Sequence, residues 1–151
     1  MMAADGAVPL YLSPYIEAHK QQYYEALKAA QHRLEYEAII GYLSDAISGT
    51  VHEIKRLRDA LVRLKAAWRK RRNFRAGSAA DTALDLLHEY PMITVGRLEQ
   101  MLGVSFQAAS TAAKQLESVG ILTERTGYRR NRVFAATEVL GVLNRPYGAN
   151  T

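Results

Sequence analysis

Residues 94–134 constrain the fold most, because they string together two helix starts, two glycine stops and a turn-rich hairpin. Thr94 is a good N-cap for a helix over Val95–Leu102, in which Val95, Leu98, Met101 and Leu102 share one face. Gly103 stands where a helix C-terminus favours a left-handed residue, and Val104 can plug the corner that follows. Ser105 then caps a second helix over residues 106–119, with Ala109, Ala112, Ala113, Leu116 and Val119 on its apolar side and Gly120 as its stop. Three alanines on that side permit close approach to the preceding helix. Residues 121–125 have the content of a short strand, residues 126–131 form a turn-rich tip, and residues 132–135 return as the partner strand. Helix, tight turn, helix and hairpin in this order predict a winged helix-turn-helix.

Modules of this shape usually read DNA, which gives each outward residue an expected role. Ser105, Gln107, Ser110, Thr111, Lys114 and Gln115 lie on the start and polar side of the second helix, with hydrogen-bonding groups suited to base edges or phosphates. Arg125, Tyr128, Arg129, Arg130 and Arg132 lie on the hairpin tip and its flanks, where arginines suit phosphate contact or entry into a minor groove. A winged helix that binds protein instead of DNA has the same pattern, since a fold does not fix a function. Lys114 is the only cation on the outward face of the second helix, so backbone contacts are expected to dominate any DNA affinity.

The net charge of +5 conceals a sharp division. Residues 1–54 hold three Lys/Arg against seven Asp/Glu, residues 55–75 hold ten Lys/Arg against Asp59 alone, and residues 76–151 balance at seven each. The cationic block, in Lys55-Arg56 with Arg58 and in Arg69-Lys70-Arg71-Arg72, can attract nucleic acid by counterion release. It can equally be a solvated helix end whose cations suit the negative pole of the helix dipole.

The sequence before residue 73 is helical in pattern. Ser13 is expected to cap a helix over residues 14–33 with Pro14 at its first position. Its apolar side holds Tyr15, Ala18, Tyr23, Tyr24, Leu27 and Ala30. A second helix is expected over residues 35–70. Its apolar positions Tyr36, Ile40, Leu43, Ile47, Val51, Ile54, Leu57, Leu61, Leu64 and Trp68 are spaced by threes and fours, as in a coiled coil. That stripe can bury against the first helix or against another copy, so a homodimer through the long helix is expected. Further helices are expected over residues 81–89, ended by Tyr90-Pro91, and over Thr137–Leu143. The fold class is therefore mostly α: a helical region over residues 1–76 with a long helix, then a winged helix-turn-helix domain with a small β-hairpin wing over residues 77–151.

The run Pro9-Leu10-Tyr11-Leu12-Ser13-Pro14-Tyr15-Ile16-Glu17-Ala18-His19-Lys20, with Tyr23-Tyr24-Glu25-Ala26-Leu27, resembles the segment that follows the catalytic loop in Fic proteins. The stretches Leu102-Gly103-Val104-Ser105-Phe106, Gly120-Ile121-Leu122 and Arg129-Arg130-Asn131-Arg132-Val133-Phe134 resemble the C-terminal winged helix of many bacterial members. The resemblance covers residues 8–136. It implies the post-catalytic part of an enzyme family that transfers nucleotide monophosphate from ATP to protein hydroxyls, and a Fic catalytic domain as a possible partner. The family's His-Pro-Phe-x-x-Gly-Asn-Gly-Arg loop has no counterpart here, because none of His19, His32, His52 and His88 precedes Pro-Phe. The resemblance therefore implies a non-catalytic region. Thr111 also stands where related domains often carry a longer basic residue.

Other chemistry is sparse. There is no cysteine, hence no disulfide, thiol nucleophile or Cys-based zinc site. His52-Glu53 and His88-Glu89 are not His-Glu-x-x-His, and no cofactor or metal is expected. Six of nine tyrosines lie at or before Tyr42, to be buried in the chain's own helical core or left for a partner. No apolar run approaches the ~20 residues of a membrane helix. Residues 1–8 lack the basic and apolar regions of a signal peptide. A cytoplasmic DNA-binding protein, a transcription regulator or an accessory region of a Fic-like protein, is the expectation. A protein-docking segment with no DNA binding is the alternative.

Overall fold

The structure, a computed structural model, describes residues 10–128 and 131–149. Its elements are α1 (Ser13–Ala18), α2 (Lys20–Arg33), α3 (Glu37–Arg71), α4 (Ala79–Leu86), β1 (Met92–Thr94), α5 (Val95–Leu102), α6 (Phe106–Ser118), β2 (Thr123–Glu124), β3 (Val133–Ala135) and α7 (Thr137–Leu143). The chain is mostly helical, as its pattern predicts, and the expected hairpin is part of a small three-stranded sheet. The described residues form two compact units, one within residues 57–145 and the other of residues 10–56 with 146–149. The boundary between these units falls inside α3, whose last turns carry Leu61, Leu64 and Trp68 into the downstream core.

In the unit of residues 57–145, apolar side chains from α3 to α7 converge on one core. Trp68, Leu84, Leu87, Leu98, Leu116, Ile121, Leu122, Phe134 and Val139 are all essentially inaccessible. Leu61 and Leu64 pack against the same cluster, which explains why α3 enters it. The sheet has the order β1-β3-β2, antiparallel throughout, with Ile93 opposite Phe134 and Glu124 opposite Phe134 on the other side. The central strand thus carries the largest core residue of the sheet. Strand β1 is not foreseen from the sequence: three residues directly after a proline give too short an alternation to recognise.

A polar network fixes the Trp68 end of this core. The indole N–H donates to Glu138 Oε2 at 2.8 Å, and Arg71 donates to both carboxylate oxygens at 2.8 and 2.6 Å. The Arg71 guanidinium, and secondarily the Trp68 donor, hold the Glu138 carboxyl below its ordinary range. His88 adds a second tie, its Nδ1 lying 2.9 Å from the Leu84 carbonyl and its Nε2 3.2 Å from that of Leu61. Lys65 pairs with Asp85, and Arg69 lies 3.8 Å from both Asp81 and Asp85.

The other unit has a thinner core. Ala26, Tyr42 and Ala46 are its buried cluster, with Leu12, Tyr15, Ile16, Tyr23 and Ile39 packed around it. The expected helix over residues 14–33 is broken at His19, which has φ −121° and ψ 35° and separates α1 from α2. Ser13 is a helical residue, not the cap; Leu12 takes the cap position and makes no side-chain hydrogen bond. Tyr15 stacks on His19 at 4.1 Å and meets Tyr147 edge-on at 5.3 Å. The segment 146–149 is held by Arg56, which donates to the Ala149 carbonyl at 2.7 Å and pairs with Glu53. Tyr147 lies over Gly49, where a Cβ would stand 2.5 Å from its hydroxyl and 2.6 Å from the Tyr15 ring. The tyrosines divide: Tyr15, Tyr23 and Tyr42 build the cluster, while Tyr11, Tyr24 and Tyr36 are exposed.

Two outcomes follow. Gly49→Ala lowers stability by about 1–2 kcal/mol in thermal unfolding, because overpacking outweighs the ~1 kcal/mol gain in helix propensity. Glu138 contributes stability above its unfolded value near pH 4.5, and that contribution is lost as pH falls through its lower folded value. Glu138→Gln is therefore less stable than the parent at neutral pH, and the difference narrows in unfolding titrations carried below pH 4.

Candidate nucleic-acid interface

The helix-turn-helix forms where the caps place it. Thr94 Oγ1 accepts from the Arg97 N–H at 3.2 Å, and Ser105 Oγ from the Ala108 N–H at 3.3 Å, so both helices begin on side-chain caps. Gly103, at φ 63°, supplies the left-handed residue between them. Helix α6 turns Ala109, Ala112, Ala113 and Leu116 fully inward. With only methyl groups on most of that face, α6 packs closely on both α4 and α5. Gly120, at φ 72°, ends the helix and turns the chain toward the wing.

The inward alanines leave the opposite side of α6 to solvent. Gln107, Thr111 and Lys114 are exposed, Ser110 and Gln115 half-buried. Gln107, Ser110 and Lys114 lie three and four residues apart, so their side chains form a row along the helix. The Ser105 hydroxyl is engaged in capping, which makes its role structural first. A cleft of about 390 Å³ runs along this side, lined by Ser105, Gln107, Thr111 and Gln115 together with Ser78 and Ala79. The start of α4 beside it is already capped, with Ser78 accepting from Asp81 N and Asp81 accepting from Gly77 N.

On the wing, Arg125 is exposed and its backbone N–H donates to the Val133 carbonyl at 2.9 Å, tying it to the hairpin. Tyr128 is exposed beyond it. Arg132 sits differently from the other expected contacts: it pairs with Glu124 at 3.3 Å and lies 5.5 Å over the Phe134 ring, at the base of the wing. Its charge is partly neutralised there. Arg129 and Arg130 lie outside the described residues. A second cleft, of about 430 Å³, lies between the start of α5, helix α6 and the wing, bounded by Thr94, Gly96, Phe106, Ser110, Asn131 and Arg132.

Phe106 was not among the residues expected at this surface. It is 55% exposed on the first turn of α6 and forms an apolar wall of the second cleft. The signal was present: Phe106 lies outside the alanine stripe, so an aromatic there has no core to enter. The cationic block before α4 proves to be divided. Arg56, Lys65, Arg69 and Arg71 are engaged in ion pairs, whereas Arg58, Lys70 and Arg72 are exposed. Part of that block is thus structural, and the rest remains open to solvent.

Compared with protein families and with curated proteins, the sequence matches none. Among the described residues no group of three or more His, Asp or Glu side chains is placed to hold a metal ion, and no helix is long and apolar enough to cross a membrane. Close packing beneath α6 makes a direct outcome measurable. Ala113→Leu inserts three carbons between α6 and its neighbours and lowers stability by about 1–3 kcal/mol in denaturant unfolding, while Thr111→Leu on the outer face changes it by less than about 0.5 kcal/mol.

Proposed function

We propose that this chain binds duplex DNA through its winged helix-turn-helix, as a transcription regulator or as the DNA-binding accessory region of a Fic-like protein. The observation that carries this reading is the two-sided character of α6. One side is buried on alanine, and the other offers Gln107, Ser110, Thr111, Lys114 and Gln115 to a groove, while Arg125 and Tyr128 are exposed on the wing. In this reading Gln107 and Lys114 reach base edges, Ser110, Thr111 and Gln115 support them, and Phe106 lies against thymine methyl groups. Arg125 and the wing arginines Arg129 and Arg130 hold the phosphate backbone, and Arg132 positions the wing through Glu124. Binding, not nucleotide transfer, is the role assigned, since the 151 residues contain no His-Pro-Phe loop. A cytoplasmic location accords with such a ligand.

A docking role beside a Fic catalytic domain is the second reading. It is favoured by Tyr11 and Tyr24, which are exposed within the Fic-like run. The two readings separate in a salt titration. With DNA as ligand, affinity for a duplex falls linearly in log–log form with salt, and Lys114→Ala and Arg125→Ala each reduce the slope by about 0.9. Gln107→Ala keeps the slope and loses about 1–3 kcal/mol of discrimination at one base pair. Absence of salt-sensitive affinity for a random-sequence duplex pool overturns the DNA reading.

A further inference from the structure

The N-terminal part of α3 carries an apolar face left exposed among the described residues of its unit. Ile40 is 64% exposed, Leu43 39%, Ile47 48% and Ile54 47%, with Val51 half-buried between the last two. At about 100° per residue these five side chains fall within an arc of roughly 80°, so they form one straight seam. Tyr36, also exposed, extends the seam at its start. The face that packs inside the unit, through Tyr42, Ala46, Gly49 and Thr50, lies elsewhere on the helix. The unit that bears this seam has only Ala26, Tyr42 and Ala46 as its buried cluster, so most of its large aliphatic side chains lie outside its core.

We propose that the seam is an interface with a second copy of this chain, in which two α3 helices pair antiparallel about Ile47. Charge selects the occupant and the direction. Helix α3 is acidic before residue 55, with Glu37, Asp45 and Glu53, and strongly basic after it. Glu37 and Lys55 lie on the same flank of the seam, 18 residues or five helical turns apart. Neither takes part in an ion pair among the described residues. Antiparallel helices bring like flanks together, so Glu37 of one copy comes beside Lys55 of the other at both ends. The seam is self-complementary in the same register: Ile40 meets Ile54, Leu43 meets Val51, and Ile47 sits at the two-fold axis. Parallel pairing sets each cationic half level with its own copy, which repels. A closed two-fold pair of this kind uses one patch twice and leaves no free end. The inference is independent of the DNA reading.

The test uses the full chain. Light scattering coupled to gel filtration gives a mass of twice 16.9 kDa for the parent. Ile47→Asp, on an exposed position, raises the dimer dissociation constant at least about thirtyfold and keeps the parent circular dichroism. The absence of native cysteine makes direction readable by single-cysteine oxidation. Ile47→Cys alone cross-links to itself, Ile40→Cys alone does not, and a mixture of Ile40→Cys and Ile54→Cys chains yields the mixed dimer. A mass of one chain at the highest soluble concentration overturns the interface. Self-cross-linking of Ile40→Cys without the mixed product overturns the antiparallel direction.

Discussion

Burial of Trp68 is the constraint on which the larger unit depends. An indole of this size fills the space between the end of α3 and the helices that follow, and its N–H must find an acceptor once water is excluded. Glu138, at the start of α7, supplies that acceptor, and a carboxylate so placed needs a cation, which Arg71 provides one turn beyond Trp68. One apolar anchor thus recruits two charged residues and joins helices far apart in sequence. The consequences run outward: α7 is fixed, β3 leads directly into it, and β3 is the central strand that holds β1 and β2. Because β1 ends on Thr94, the cap of α5, the sheet also sets where the helix-turn-helix begins.

Much of this was legible from residues alone. Caps at Thr94 and Ser105, glycines at 103 and 120 and the alanine stripe of α6 specify local geometry through short-range physics: α5 begins and ends on those signals, and α6 begins on Ser105 and ends within two residues of Gly120. The misreadings have a shared cause in long-range contacts. Trp68 continues the apolar stripe of α3 without a break, yet it belongs to the downstream core, and only its partners Glu138 and His88 reveal this. The break at His19 is likewise invisible locally, because the residues around it are good helix formers. Its ring stacks on Tyr15 and meets edge-on the ring of Tyr147, more than a hundred residues away.

The candidate site was readable to a different depth. Which α6 residues face outward follows from periodicity, and the structure places Gln107, Thr111 and Lys114 in solvent. What each arginine does was not readable. Arg132 and Arg125 look equivalent in sequence, but only Arg132 has a carboxylate across the hairpin and an aromatic ring beneath it. Charge in a linear sequence counts cations, whereas the folded chain divides them into those already paired and those still available.

The small residues under α6 have a consequence for how such a surface can change over time. Where a helix is held by bulky interlocking side chains, altering its outer face often shifts the packing beneath. Here the spacing is set by backbone against methyl groups, which have no rotamers to rearrange. Variation at positions 107, 111 and 114 is therefore insulated from folding, and the outer face is free to drift toward new ligands while the scaffold stays constant.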